Sequence, residues 1–164
     1  MMMKVDTVVA VSFDDGSVGR MQLFERDDIA SLTDGHIQAE IGKTGQTWAA
    51  LGLTAVSWRR CKLEDFPADL HEFRAAWVDR KGKITVDMNK AKDCTRDRLR
   101  AERAPLLEAK DVDALRALEA DDKAALADVA AEKQRLRDIT ELPAIDAAKT
   151  PDDLKALSCE SVLP

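Results

Sequence analysis

The sequence has few of the side chains that most often carry out chemistry. It contains no tyrosine and only two histidines, His36 and His71, among 164 residues. Neither histidine has a cysteine or a second histidine at the spacing of a metal site, and neither lies beside a nucleophile. We therefore expect both to be surface or turn residues. The sequence predicts no catalytic residue, no cofactor-binding residue and no metal ligand.

Cysteine is also scarce. The three cysteines, Cys61, Cys94 and Cys159, are far apart, and none belongs to a C-x-x-C pair. This spacing does not fit a zinc site, and an odd number fits poorly with a disulfide-framed secreted domain. Reduced thiols are the expectation. Cys159 is the exception, because it stands in a short polar tail that could reach a neighbouring chain and form an inter-chain disulfide.

Long apolar runs are absent as well. The run from Val8 to Val11 is too short for the core of a signal peptide, and Asp14 and Asp15 follow shortly after it. No segment approaches the roughly 20 apolar residues of a membrane span. The sequence thus predicts a soluble protein that is made in the cytoplasm.

The charge balance argues against nucleic-acid binding. Asp and Glu number 31 against 25 Lys and Arg, which gives a net charge of −6. A nucleic-acid-binding domain needs a basic surface that displaces counterions. The nearest basic run is interleaved with acidic residues and is predicted to be a solvated helix face. It comprises Arg96, Arg98, Arg100 and Arg103.

Aromatic residues and glycine are confined to the first half of the chain. The aromatic side chains all lie between Phe13 and Trp77, and the last glycine is Gly82. Residues 89–164 contain neither and are rich in Ala, Leu and charged residues, which is typical of exposed helices. The composition predicts an α+β protein in two parts: a small, β-hairpin-rich α/β domain over residues 1–88 and an all-helical region over residues 89–164.

The first part is predicted to contain two β-hairpins. Residues 5–13 and 18–24 flank an Asp-Gly turn, which is a strong hairpin signal between apolar runs. Residues 54–61 favour a strand. A second hairpin is predicted from residues 77–78 and 84–88, with a short helical turn before it and Gly82 in its loop.

The stretch between the hairpins is predicted to be largely loop. Residues 36–41 and 48–51 could form short helical turns, but Gly42 and Gly45 disfavour a helix across residues 27–52. The sequence Gly42-Lys43-Thr44-Gly45 lacks the first glycine and the preceding strand of a phosphate-binding loop, so no nucleotide site is predicted.

The second part is predicted to form an antiparallel helical hairpin or one long bent helix pair. Asn89 is placed to cap a helix that Pro105 would kink or end, and Thr150-Pro151 mark the start of a last short helix. The apolar stripe is thin, which favours coiled-coil-like association with another chain or packing on the α/β part. It comprises Leu106, Leu107, Val112, Leu115, Leu118, Leu126, Val129 and Leu136.

Paired carboxylates are predicted to be turn and cap residues. The alternate oxygen ligands and the terminal glutamate of a calcium-binding EF-hand are missing around them. The pairs are Asp14-Asp15, Asp27-Asp28, Asp121-Asp122 and Asp152-Asp153. The three tryptophans are predicted to be core residues rather than a ligand platform.

Seven motifs follow one another between residues 73 and 157. They are FRAAWVD (73–79), ITVDMNKA (84–91), RDRLR (96–100), APLL (104–107), RALEA (116–120), EKQRLRD (132–138) and TPDDLKAL (150–157). Together they resemble a family of small bacteriophage and prophage tail-region proteins. The helical half is also similar to the C-terminal segment of phage tail-fibre assembly proteins. The match covers roughly residues 63–157.

The resemblance implies a phage tail protein with no enzyme activity and no cofactor. We therefore expect a structural protein of the virion, associated with the tail fibre or tail tip and made in the host bacterial cytoplasm. Its expected partners are other tail or fibre proteins and further copies of itself, for which a trimer would suit a fibre attachment. The alternative is a tail-fibre assembly chaperone that is not retained in the virion.

The chain departs from the family pattern at two places. Family members usually end near a Trp-Pro after the last helix, where this chain has residues 158–164, and often have Ile-His where it has Cys94-Thr95. Both departures introduce a cysteine, so Cys94 joins Cys159 as a candidate for an inter-chain disulfide. A third interpretation, an enzyme acting on a host surface polymer, is disfavoured because the carboxylates fall in predicted turns and helix faces rather than in a cleft.

Overall fold

The computed structural model describes residues 5–24 and 32–162. The chain divides into two compact units, Met1–Asp87 and Met88–Pro164. The first unit combines strands with helices, whereas every element of the second is helical. The predicted α+β class, with β-hairpins first and a helical hairpin after them, is confirmed.

A three-stranded antiparallel sheet forms the centre of the first unit. Strands β1 (Val5–Phe13) and β2 (Val18–Phe24) make the predicted hairpin, and β3 (Ala55–Cys61) pairs with the other side of β1. The strand order is β2-β1-β3, so the first strand of the chain is the central one.

The stretch predicted as loop is instead a 17-residue helix, α1 (Asp34–Ala50). The loop prediction is wrong because it weighed the glycines alone, at about 1 kcal/mol each. Thr33 and His36 form a reciprocal cap at its start, and Ile37 and Ile41 are buried. Burial of these two side chains outweighs the glycine penalty. The turn predicted at residues 27–28 lies outside the described residues.

Both faces of β1 are buried, and each belongs to its own cluster. Alternation along the strand directs Val9 and Val11 to the face where they pack against Ile37 of α1. The opposite face packs on the second hairpin and the segment before it. That cluster comprises Val8, Ala10, Val18, Phe66, Trp77 and Ile84.

The second hairpin follows a 3₁₀ segment (Ala68–Ala76) and consists of β4 (Trp77–Arg80) and β5 (Lys83–Val86). Its two-residue loop has φ of 56° at Lys81 and 88° at Gly82, as a tight hairpin with right-handed strand twist requires. The predicted strand over residues 84–88 ends two residues early. Only Asp87 separates β5 from the next helix.

The second unit is built on an antiparallel helix pair, α2 (Met88–Glu119) and α3 (Lys123–Asp138). Lys110 of α2 contacts Glu132 of α3 at 2.6 Å, and Arg103 donates to the Arg137 carbonyl at 2.7 Å. Later residues of one helix therefore meet earlier residues of the other. The predicted helical hairpin is confirmed, and Asp122 caps α3 after the turn.

Two details of α2 differ from the prediction. The helix begins at Met88, so Asn89 does not cap it, and it continues through Pro105 to Glu119. A proline removes one helical hydrogen bond and costs about 3 kcal/mol. Contacts with α3 along the helix on both sides of Pro105 outweigh that cost, since the Arg103 and Lys110 contacts flank it.

The rest of the chain packs back on this pair through a 3₁₀ turn (Ile139–Glu141), α4 (Pro143–Ala147), α5 (Pro151–Lys155) and a final 3₁₀ turn (Cys159–Val162). Thr150 caps α5 as predicted. The largest fully buried side chains of this unit are Thr95, Leu99, Leu136, Ile139, Ile145 and Leu154. None of the described helices, including the 32-residue α2, is both long and apolar enough to cross a membrane.

Candidate binding surfaces

The arginine run of α2 holds the C-terminal segment in place. Arg98 donates to the carbonyl of Leu154 at 3.0 Å and to that of Leu157 at 2.8 Å, and it pairs with Glu102 on its own helix. A guanidinium can satisfy several carbonyls at once because its donors are arranged in a planar fork. The carbonyls at the end of α5 and just after it are the acceptors that such a group needs, since the last carbonyls of a helix lack a full set of helical partners.

The prediction of a solvated arginine face is therefore wrong for three of the four residues. Arg96 reaches Asp146 at 2.7 Å, and Arg103 reaches the last turn of α3. Arg100, by contrast, pairs with Asp97 on its own helix and stays at the surface. The interleaved carboxylates are visible in the sequence. The backbone carbonyls that accept from Arg98 and Arg103 are not, because they belong to segments more than 30 residues later that only the fold brings next to α2.

Cys159 does not lie in an exposed tail. Its side chain is 2% exposed, its thiol contacts the Leu99 carbonyl at 3.6 Å, and its amide donates to Glu102. Burial, followed by the nearby Glu102, raises the pKa of the Cys159 thiol, which disfavours the reactive thiolate. The expected position is wrong because the segment after α5 forms a 3₁₀ turn that folds the sulfur inward.

Cys94 is half-buried on α2, and burial raises the pKa of its thiol too. Both cysteines are free thiols within this chain. An inter-chain disulfide through Cys159 would first require the C-terminal turn to open, whereas Cys94 carries no such requirement.

The predicted turn and cap roles of the acidic pairs are confirmed where the structure describes them. Asp14 accepts the Thr54 amide at 3.0 Å, Asp122 caps α3, and Asp153 accepts the amides of Lys149 and Thr150. The pair at residues 27–28 lies outside the described residues. Within residues 5–24 and 32–162, no three His, Cys, Asp or Glu side chains cluster as metal ligands would.

A groove of about 420 Å³ crosses the first unit between the start of β2, the end of α1 and the segment before β4. Phe13 and Trp48 meet edge to face in it, with ring centroids 5.2 Å apart. Gly19 lies against the Phe13 ring, where a Cβ would come within 2.9 Å of a ring carbon. Leu51, which is 71% exposed, and Leu53 add aliphatic surface at the end of α1.

The charged side chains around this groove are all basic. Arg20, His71 and Arg74 line it, and no acidic residue does among those the structure describes. The Arg20 guanidinium lies over the Phe66 ring, 5.8 Å from its centroid, and His71 meets Trp77 edge to face. The prediction that the tryptophans are core residues holds for Trp77, which is 3% exposed. Trp48 is only half-buried and faces the groove.

A second exposed surface lies on α2. Val112, Leu115 and Leu118 are spaced three residues apart and therefore share one side of the helix. The two leucines are 61% and 62% exposed, although Ala117 between them is buried. We call these three residues the α2 leucine face. The predicted apolar stripe therefore has a buried part and an exposed part: Leu136 is buried within the unit, whereas the α2 leucine face is exposed.

Comparisons with protein-family models, with curated proteins and with solved structures find no match to this chain.

Proposed function

We propose that this protein is a non-enzymatic structural protein of a bacteriophage tail, associated with the tail fibre or tail tip and assembled as an oligomer. The ordered set of motifs over residues 73–157 is the observation that carries the proposal. Several of its residues build the two units: Trp77, Leu136 and Leu154 are buried, and Arg98 fastens the C-terminal segment. These motif residues stabilise the fold of the two units, which suits a structural role.

The α2 leucine face supports assembly into an oligomer. Large apolar side chains that stay exposed together are typical of interaction surfaces. Fully burying one leucine stabilises a contact by about 1.5–3 kcal/mol. A stable interface needs about 1,200–2,000 Å² in total, which is more than three side chains provide. The face would therefore form the centre of a longer contact between copies along α2.

Mass spectrometry of purified virions tests the assignment to the tail. The virions come from the phage or induced prophage that carries the gene, and particles purified by density are compared with the cleared lysate. We expect the protein in the particles at a fixed ratio to the major tail proteins, and in isolated tails as well as whole virions. Its presence in the lysate together with its absence from the particles would contradict a structural role.

The helical motifs favour one second candidate, a tail-fibre assembly chaperone, because this half is similar to the C-terminal segment of such proteins. Co-expression with the adjacent fibre gene distinguishes the two roles. A chaperone would raise the soluble yield of the fibre and then separate from it during purification. A structural partner would remain bound to the fibre at a fixed ratio through the same purification.

A further inference from the structure

We propose that the groove of the first unit binds an extended acidic peptide segment that carries an apolar anchor side chain. The inference does not depend on the tail assignment, since it rests on the shape and charge of this unit alone. Three features of the groove support it: its basic lining, its apolar floor and its position at a sheet edge.

The basic lining of the groove favours an anionic partner. The chain has 31 acidic residues, yet the charged groups that line the groove are Arg20 and Arg74, with His71 beside them. Neither arginine forms an ion pair with a described residue. Two other arginines of this unit are paired: Arg59 with Asp79 at 2.5 Å and Arg60 with Asp34 at 2.8 Å. Two guanidiniums that form no ion pair with the described residues lie beside one groove, where they can bind carboxylates of a partner.

The floor of the groove selects a peptide over a sugar or a polyphosphate. Phe13, half-buried Trp48 and the exposed Leu51 provide apolar surface that a leucine or valine side chain can cover. Polar side chains that would fix sugar hydroxyls are scarce here, since Ser17 is the small polar residue in the lining and is itself buried. A polyphosphate would leave the apolar floor uncovered.

The sheet edge favours an extended conformation of the peptide. In the order β2-β1-β3, β2 is an edge strand, and within the described residues no further strand pairs with its outer side. The residues that start this strand, Val18 to Arg20, line the groove. A segment that lies along them can add main-chain hydrogen bonds to the contacts of its side chains, as peptides bound at sheet edges do.

Fluorescence anisotropy with the purified full-length protein tests the proposal. The probe is a fluorescein-labelled eight-residue peptide that alternates glutamate with leucine. A peptide that alternates lysine with leucine is the comparison, and inorganic polyphosphate serves as a competitor. We expect saturable binding of the acidic peptide, weakening as salt rises because exposed charges are screened over about 10 Å at 0.1 M. The basic peptide should not bind.

Variants locate the binding to the groove. The double change Arg20→Glu and Arg74→Glu should weaken binding of the acidic peptide by about tenfold or more. Lys83→Glu makes the same change of charge as Arg74→Glu alone, at an exposed position of β5 outside the groove, and should leave binding unchanged. Arg74→Glu alone provides a milder variant, and circular dichroism checks that each variant is folded. Leu51→Asp tests the apolar part separately and should also weaken binding.

Several results would overturn the proposal. One is no saturable binding of the acidic peptide by folded protein. Another is an equal loss of affinity in Lys83→Glu and in the arginine variants, which would indicate a general effect of net charge. Binding of the basic peptide with similar affinity, or displacement of the acidic peptide by polyphosphate at equal charge concentration, would rule out a groove selective for acidic peptides. In each case the virion experiment would still decide the tail assignment.

Discussion

The two units of this chain bury their apolar side chains in different ways. In the first, one strand, β1, lies between two layers, so the consecutive residues Val8 to Val11 are all buried. In the second, the buried leucines gather where the C-terminal segment meets α2 and α3, while the helix pair nearer its turn is joined by ion pairs such as Lys110–Glu132. A strand buried on both faces needs a continuous apolar run, whereas a helix needs only one stripe.

The difference between packed and unpacked leucines within α2 gives the largest expected effect. Leu99 is fully buried, whereas Leu115 in the same helix is 61% exposed. Leu99→Ala should lower the free energy of unfolding by about 2–5 kcal/mol, because it removes buried methyl groups and leaves a cavity. Leu115→Ala, the matched control, should change the monomer's stability by less than about 0.5 kcal/mol. Urea denaturation monitored by circular dichroism, at a protein concentration low enough for light scattering to show a monomer, measures both, and equal losses would contradict the described packing.

Arg98 gives the next largest effect, because it connects α2 to the end of α5. Arg98→Ala should destabilise the second unit by about 1–2 kcal/mol, since two backbone carbonyls lose a charged donor that is itself partly exposed. The Cys159 thiol should also react faster with a colorimetric disulfide reagent, because the turn that buries it is loosened. Measurements in a Cys61→Ser and Cys94→Ser background assign the signal to Cys159.

Arg100→Ala is the matched control for this change. Arg100 lies two residues away on the same helix but pairs only locally with Asp97. Its removal should leave the reactivity of Cys159 unchanged. Similar thiol reactivity in the two variants would show that Arg98 does not secure the C-terminal segment.

The cap of α5 should have a smaller effect that depends on pH. Thr150→Ala removes the acceptor of the Asp153 amide and should cost about 1 kcal/mol. The pKa of the Asp153 carboxyl lies below its ordinary value of 3.8, chiefly because it accepts the Lys149 amide and then the Thr150 amide. Its stabilisation is therefore complete above that ordinary value and is lost as pH falls through the lowered pKa. Asp153→Asn should remove this acid-dependent part, and an unchanged acid profile would contradict the assignment.

The smallest effect lies in the first unit and has the opposite sign. Gly45 sits inside α1, and a Cβ there would meet no atom within 4 Å. Gly45→Ala should raise stability by about 0.5–1 kcal/mol, because alanine loses less conformational freedom in a helix. Gly82→Ala should instead destabilise, since Gly82 has φ of 88°. Thermal unfolding of both variants is the measurement, and a loss of stability in Gly45→Ala would show that this turn of α1 needs its glycine.

Much of the fold could be predicted from local sequence. The first hairpin spans residues 5–13 and 18–24 as expected, because alternating strands around an Asp-Gly turn are specified within a few neighbouring residues. The Thr150 cap was readable for the same reason. Helix α1 was not, since its stability comes from packing Ile37 and Ile41 against β1, which is distant along the chain.

The candidate surfaces were less predictable than the fold. Cys159 was expected at the surface because its neighbours are polar, yet contacts with Leu99 and Glu102, about 60 residues earlier, bury it. The groove joins residues from three separate segments, and no local pattern connects Arg20 with Arg74. The α2 leucine face was visible only as part of a stripe. Which leucines remain outside depends on the register between α2 and α3.

We propose that the two units have separate tasks: the second assembles copies of the chain, and the first binds a partner through its groove. Light scattering coupled to size-exclusion chromatography, with reductant present, tests it most directly on wild type, on Leu115→Asp with Leu118→Asp, and on Leu51→Asp. The account predicts an oligomer for wild type and for Leu51→Asp, and a folded monomer for the double variant, which should still bind the acidic peptide. A monomeric wild type, or an oligomer unchanged by the double variant, would contradict it.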